Sequence, residues 1–224
     1  MIVKICGITT LDDARFAIDA GADWIGLNLV SGPRRIELPA ALAILKGLSD
    51  PAHAVGLIAL QNGVVEDSIA SALCDHHVRR LQLYGQVTPQ AIRSLQQAGF
   101  ETILAQPVVD EHSLTALDAL LTVCSDARPD YVLFDAVVEG QVGGTGQRAN
   151  WEAMAHARAR GRYSHWPPVI LAGGLTSGNV AEGIRLVAPV GVDVSSGVEA
   201  APGRKDPRKV GEFIRSVRGQ MTKC

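Results

Sequence analysis

The stretch KICGITTLDDA, residues 4–14, joins the first apolar run of the chain to its first helical pattern. The run IVKIC predicts a strand over 2–6, and the spacing of apolar residues after it predicts a helix over 10–20. Gly21 stands where that helix would end, and the run DWIGLN predicts a second strand over 23–28. A strand, a helix and a second strand in this order form the unit from which parallel sheets are built.

The strand–helix unit recurs to the end of the chain. We predict eight strands, over 2–6, 23–28, 54–60, 79–83, 101–105, 130–134, 168–172 and 191–195. We predict eight helices, over 10–20, 39–48, 64–74, 88–98, 111–123, 150–160, 177–187 and 206–217. Eight units predict an α/β fold, a (β/α)8 TIM barrel, as a single domain over 1–224. A doubly wound open sheet is the alternative, but it more often has about five or six strands, and no GxGxxG follows the first strand here.

The composition argues against several classes of protein. A formal net charge of −2 gives no electrostatic basis for binding nucleic acid or an anionic membrane surface. No apolar run approaches the roughly 18 residues of a membrane-spanning helix, and we see no signal peptide. The four cysteines show no zinc-like spacing, and the six histidines mostly fall on predicted helices or helix–strand connections, so we predict no metal site. We therefore expect a cytoplasmic protein that binds neither nucleic acid nor a membrane.

Three loops after the late strands are rich in glycine: GGTG at 143–146, AGGL at 172–175 and SSGVE at 195–199. Glycine lets backbone N–H groups approach an anion closely, and barrels commonly bind phosphate in the loops after their seventh and eighth strands. The alternative is that each glycine only serves a tight turn. Because all three loops would meet on one face of a barrel, we favour a phosphate site.

Cys6 ends the predicted first strand. The alternation of side chains along a strand places Cys6 and Lys4 on the same side, inside the barrel. A cysteine is most often a buried apolar thiol, which is our interpretation of Cys74 and Cys124. At the face of a barrel where chemistry occurs, however, a thiol that is partly ionised can abstract a proton.

Other polar residues stand at the same predicted face. Asp135 ends the sixth strand far from the next helix, so a helix-capping role is disfavoured. Arg34 lies in the long loop after the second strand and is suited to a substrate carboxylate, whereas Arg35 is interpreted as a solvated loop charge. Gln82 and Tyr84 end the fourth strand on one side of it.

The sequence resembles the phosphoribosylanthranilate isomerase family of tryptophan biosynthesis over essentially its whole length. The resemblance rests on KICGIT (4–9), DAGADWIGL (19–27), PRRI (33–36), VGLIA (55–59), LQLYG (81–85), LFDA (133–136), GGTG (143–146), ILAGGL (170–175), NV (179–180) and GVDVSSGVEAAPGRKD (191–206). It implies a (β/α)8 barrel that catalyses an Amadori rearrangement of N-(5-phosphoribosyl)anthranilate, a phosphosugar, without a cofactor. The family contains monomers and homodimers.

The resemblance also implies roles for individual residues. The family's catalytic base falls on Cys6, its general acid on Asp135, and the arginine that meets the anthranilate carboxylate on Arg34. The phosphate-binding loops fall on Gly144, Gly173, Gly174, Ser196 and Gly197. Gln82, Tyr84 and Asp193 are further candidates for substrate binding, although Tyr84 stands where the family usually has histidine.

Two other functions remain as alternatives. One is a different phosphosugar aldose–ketose isomerase on the same barrel, such as the related isomerase of the histidine pathway, but that family has a carboxylate where this chain has Cys6. The other is a non-catalytic binding subunit on a barrel scaffold, which would need neither Cys6 nor Asp135.

Overall fold

A computed structural model describes residues 1–136 and 149–221. Eight parallel strands close into a barrel in chain order, and the first strand pairs with the eighth. These strands, β1–β8, are Ile2–Cys6, Trp24–Asn28, Ala54–Leu60, Arg80–Gly85, Glu101–Pro107, Tyr131–Asp135, Val169–Leu171 and Gly191–Val194. The predicted α/β barrel is therefore confirmed.

Helices surround the barrel and alternate with its strands. These helices, α1–α8, are Leu11–Asp19, Leu38–Gly47, Asp67–Asp75, Pro89–Gln97, Glu111–Val123, Trp151–Ala159, Val180–Val187 and Pro207–Met221. None of the helices in the described ranges is long and apolar enough to cross a membrane.

Local chemistry fixes where several helices begin. Thr10 caps α1 by accepting a hydrogen bond from the backbone N–H of Asp13 at 3.1 Å, as the sequence pattern indicates. The start of α3 was predicted too early, at residue 64. Gln61 and Val64 exchange two backbone hydrogen bonds there, which form a tight turn before the helix.

Two apolar layers stabilise the barrel. The larger one lies between strands and helices and includes Ile5, Phe134, Trp151 and Phe213, all fully buried. The smaller one fills the barrel interior, with members Cys6, Trp24, Val55, Leu57, Ile103, Leu133, Ile170 and Ala172. Because so few apolar residues fill the interior, the remaining interior positions are polar, and these polar positions form the site.

Two further features differ from the sequence predictions. Cys124 is fully buried as predicted, but Cys74 is exposed on α3, so its interpretation as a buried thiol was wrong. The chain after β8 also forms an unpredicted antiparallel pair, β9 (Glu199–Ala201) and β10 (Arg204–Lys205). This β9–β10 hairpin lies at the mouth of the barrel, where the loops after the strands meet.

Phe213→Ala should lower the free energy of unfolding by about 3–5 kcal/mol, because it opens a cavity in the larger apolar layer. Phe16→Ala is the matched control, since Phe16 on α1 is 36% exposed. Urea denaturation of both variants measures the difference. Equal losses of stability in Phe213→Ala and Phe16→Ala would show that burial in the larger apolar layer does not contribute more to the free energy of unfolding than a partly exposed side chain does.

Candidate active site

One cleft opens at the carboxyl ends of the strands. It is lined by eight of the residues predicted from sequence, namely Cys6, Arg34, Tyr84, Asp135, Gly173, Gly174, Asp193 and Ser196. Gln82 is buried beneath the cleft and donates a hydrogen bond to the Tyr84 hydroxyl. Gly197 lies beside the cleft, next to Ser196, and Gly144 falls outside the described residues. Six of the eight strands, or the loops after them, thus contribute these residues to one site.

Cys6 fits at the end of β1 because its neighbour on β2 is a glycine. Cys6 and Gly26 are paired in the register of the two strands. A side-chain carbon at Gly26 would lie 2.7 Å from Cys6 Sγ, closer than real contacts allow. The glycine therefore makes room for the thiol inside the barrel.

A buried ion pair lies next to Cys6 in the barrel interior. Lys4 Nζ is 3.0 Å from Asp193 Oδ2, and Lys4 and Asp193 are paired in the register of β1 and β8. Lys4 is fully buried and Asp193 is 7% exposed. Burial alone would lower the pKa of Lys4, but the facing Asp193 carboxylate and the Cys6 thiol raise it above its ordinary value. Lys4 is therefore a permanent positive charge beneath the cleft.

The ionisation of Cys6 depends on opposing influences. Burial raises the pKa of the thiol, because water no longer stabilises the thiolate, and the Asp193 carboxylate raises it further. The Lys4 and Lys205 ammonium groups lower it. The net result is a pKa above the ordinary value, so in the free protein the thiol holds its proton at neutral pH.

Asp135 ends β6 across the cleft. Its Oδ1 accepts a hydrogen bond from the backbone N–H of Ala136 at 2.8 Å. Burial, followed by the charge of Asp193, raises the pKa of Asp135 from 3.8 to about 6. This carboxyl group can thus exist in protonated form near neutral pH, as a general acid requires.

Tyr84 lies among these groups. Its hydroxyl accepts a hydrogen bond of 2.6 Å from Gln82 Nε2. Burial raises the pKa of Tyr84 well above its ordinary value, and the nearby Cys6, Asp135 and Asp193 raise it further. The phenol therefore stays neutral, and it can shape the pocket and donate a hydrogen bond.

The two arginines of the loop after β2 occupy different environments. Arg34 lines the cleft, and its Nε and Nη2 each donate a hydrogen bond of 2.7 Å to the carboxylate of Glu199. Arg35 is half exposed and pairs with Glu37, so the expectation of a solvated charge is confirmed. Gly7 enables the position of Arg34, since a side-chain carbon at Gly7 would lie 2.5 Å from Arg34 Cδ.

The loop after β7 contains two glycines in the left-handed backbone region. Gly173 and Gly174 have φ angles of +80° and +65°, which favour glycine over other residues. A side-chain carbon at Gly173 would lie 2.5 Å from the Ala136 nitrogen, so β6 and β7 approach closely there. Gly197 packs against the Leu175 carbonyl oxygen, which brings the loops after β7 and β8 together.

Several residues at the mouth of the cleft were not predicted from the sequence. Glu199 and Lys205 are buried charges that pair at 2.9 Å, and Asn28, Ser31 and Ser195 line the cleft. Glu199 and Lys205 both stand in GVDVSSGVEAAPGRKD (191–206), but their pairing follows only from the β9–β10 hairpin. Residues 1–136 and 149–221 contain no cluster of three His, Cys, Asp or Glu that could hold a metal ion.

Comparison with known proteins is consistent with this geometry. The family model described as N-(5′-phosphoribosyl)anthranilate (PRA) isomerase matches residues 3–216. The isomerase of that name from Trichlorobacter lovleyi is 41% identical over 217 residues, which cover 96% of this chain and 97% of the relative.

Solved structures agree in fold. The phosphoribosyl anthranilate isomerase of Thermotoga maritima has a TM-score of 0.81 at 29% identity and covers 98% of this chain and 100% of its own. A second structure, of a phosphoribosyl anthranilate isomerase in complex with reduced 1-(o-carboxyphenylamino)-1-deoxyribulose 5-phosphate, has a TM-score of 0.78 at 27% identity, with coverage of 98% and 100%.

Lys4→Met should lower the free energy of unfolding by about 3–5 kcal/mol, because it leaves the Asp193 carboxylate buried without its partner. Lys4→Met with Asp193→Asn should lose less, since no buried charge is left unpaired. Arg35→Met, which breaks an exposed ion pair, is the control and should change stability little. Urea denaturation provides the measurement, and equal stability of Lys4→Met and Arg35→Met would contradict a strongly coupled pair.

Proposed function

The chain belongs to the N-(5′-phosphoribosyl)anthranilate isomerase family, and we propose that it converts N-(5-phosphoribosyl)anthranilate to 1-(2-carboxyphenylamino)-1-deoxyribulose 5-phosphate, with Cys6 as general base and Asp135 as general acid. This reaction is a step of tryptophan biosynthesis. The observation that carries the proposal is that Cys6 and Asp135 line one cleft, next to a cationic group suited to the substrate carboxylate.

Asp135 acts first in the proposed reaction. It protonates the ribose ring oxygen, the bond from that oxygen to C1 breaks, and the nitrogen lone pair forms a C=N bond to C1. The raised pKa of Asp135, about 6, supports this role because an ordinary carboxyl group would hold a proton too rarely at neutral pH.

Cys6 acts in the second step. Its thiolate removes the proton from C2, and the electrons of that C–H bond form a C1=C2 double bond while the nitrogen is neutralised. Tautomerisation of this enolamine gives the ketone at C2. The Lys4 ammonium supports the role of Cys6, because its positive charge in the barrel interior stabilises the thiolate.

The two ends of the substrate have separate partners in this proposal. Arg34 binds the anthranilate carboxylate, and the backbone around Gly173, Gly174, Ser196 and Gly197 binds the phosphate together with the loop of Gly144. Gln82, Tyr84 and Asp193 contact the ribose or shape the pocket around it.

We further propose that residues 1–224 form one domain that works in the cytoplasm without a cofactor, a metal, a nucleic acid or a membrane. The assembly is a monomer or a homodimer. Light scattering on the purified protein separates these two states.

Cys6→Ser should keep the fold and lower kcat by about 10²–10⁴, because a hydroxyl is far less acidic than a thiol and cannot act as the base. The exposed Cys74 provides a matched control, and Cys74→Ser should retain full activity. The assay follows the fluorescence of the substrate as it is consumed. Turnover by Cys6→Ser at the level of Cys74→Ser would remove the thiol from the mechanism.

The kcat/KM of the wild type should rise with pH through about 6, where Asp135 titrates, and fall again where Cys6 ionises. The reactive form, thiolate with protonated Asp135, carries the same number of protons as the resting form, thiol with carboxylate. Below about 6 both groups hold protons, and above the pKa of Cys6 both have lost them, so the reactive form becomes scarce on either side.

Asp135→Asn is the control for this profile. Its residual activity should depend on the thiolate alone and rise continuously toward the pKa of Cys6, without a limb near 6. Ionisations of the substrate affect both proteins equally, so the difference isolates Asp135. A wild-type profile with its acidic limb near 4, the ordinary range of a carboxyl group, would refute the assignment.

Arg34→Ala should raise KM about 10- to 150-fold, the worth of a charge-assisted hydrogen bond, with a smaller effect on kcat. Arg35→Ala removes the neighbouring arginine, which is paired with Glu37 outside the cleft, and should leave KM unchanged. Steady-state kinetics of both variants make the comparison. Equal KM values in the two variants would refute the role of Arg34.

A further inference from the structure

Three buried charged residues, Arg34, Glu199 and Lys205, form a cluster at the side of the cleft that Arg34 lines. The Glu199 carboxylate accepts 2.7 Å hydrogen bonds from Arg34 Nε and Nη2, and its Oε1 also lies 2.9 Å from Lys205 Nζ. Arg34, Glu199 and Lys205 are 7%, 7% and 3% exposed. Because the two oxygens of Glu199 engage two nitrogens of one guanidinium, the plane of the Arg34 head group is fixed.

The β9–β10 hairpin holds this cluster in place. Lys205 and Glu199 are paired in its register. The hairpin is tied to the barrel mouth by hydrogen bonds from Thr9 Oγ1 to the Gly203 carbonyl, at 2.6 Å, and from Lys209 Nζ to the Glu199 carbonyl, at 2.8 Å. The Glu199 carboxylate is therefore placed by the fold, independently of any ligand.

The charge of the cluster explains the presence of Lys205. Glu199 alone would neutralise Arg34 and weaken the attraction of the cleft for a carboxylate. The hydrogen bonds from Arg34 and the charge of Lys205 outweigh burial and lower the pKa of Glu199, so it remains ionised. Burial lowers the pKa of Lys205 below its ordinary value, although Glu199 opposes this, and with Lys205 protonated the cluster holds two positive charges and one negative charge, a net charge of +1.

We propose that Glu199 and Lys205 are positioning residues for carboxylate recognition: Glu199 orients the Arg34 guanidinium, and Lys205 offsets the charge of Glu199 so that the site stays cationic. This inference rests on the proposed role of Arg34 toward the substrate carboxylate. The hydrogen-bonded pair of Glu199 and Arg34, here called the clamp, could also serve only to hold the two loops together. The test must therefore separate carboxylate binding from folding.

Two variants separate the two parts of the proposal. Lys205→Met keeps the clamp between Glu199 and Arg34 but makes the cluster neutral. Glu199→Met combined with Lys205→Met keeps the net charge of +1 but removes the clamp. Arg208→Met is the matched control, since Arg208 is an exposed cation on α8 that pairs with Glu212 and is not part of the cluster.

Calorimetry measures the binding of two probes to each protein. Reduced 1-(2-carboxyphenylamino)-1-deoxyribulose 5-phosphate carries both the carboxylate and the phosphate, and inorganic phosphate carries only the latter. Lys205→Met and the double variant should each weaken the first probe about tenfold, the worth of one charge-assisted interaction, and leave phosphate affinity nearly unchanged. Lys205→Arg should restore the affinity, and Arg208→Met should match the wild type.

The remaining outcomes overturn the inference in distinguishable ways. Equal weakening of both probes, or a lower Tm with unchanged affinities, would reduce the cluster to a structural clamp. Wild-type affinity of the double variant would refute the positioning role of Glu199, and wild-type affinity of Lys205→Met would refute the role of its charge. If Arg34→Ala also binds the first probe like the wild type, the proposed role of Arg34 fails, and the inference fails with it.

Discussion

The ion pair between Lys4 and Asp193 is the interaction on which the chemistry of this barrel depends. It is almost wholly buried in the barrel interior, where charges act strongly on each other. Lys4 favours the thiolate of Cys6, and Asp193 disfavours the ionisation of Asp135. One pair of opposite charges thus moves two proposed catalytic groups in the directions that a base and an acid require.

In the resting site the proton lies on Cys6, whereas the proposed reaction requires it on Asp135. At neutral pH the resting site has a Cys6 thiol and a largely ionised Asp135, because the pKa of Cys6 is raised above that of Asp135 at about 6. Moving one proton from Cys6 to Asp135 produces the reactive form of the proposed mechanism. A neutral Tyr84 and the cationic cluster of Arg34, Glu199 and Lys205 are proposed to contact the substrate, and they do not change the number of protons that Cys6 and Asp135 share.

The sequence predicted the barrel well because its information is local. Short β-branched runs alternate with capped helices such as α1, and residues that end strands, such as Cys6 and Asp135, must meet at one face. The pairing of Arg34 with Glu199 was not predicted, because it joins loops 165 residues apart and depends on the β9–β10 hairpin. The exposure of Cys74 was mispredicted for a related reason, since composition does not show which face of α3 packs on the barrel.

The titration of the Asp135 carboxyl carbon, followed by ¹³C NMR in the free protein, tests the central electrostatic claim most directly. The account predicts a midpoint of about 6, caused by burial and by the charge of Asp193. In Asp193→Asn, the midpoint should move toward lower pH because that charge is gone. A wild-type midpoint at the ordinary value of 3.8 would contradict the claim that the barrel interior prepares Asp135 as an acid.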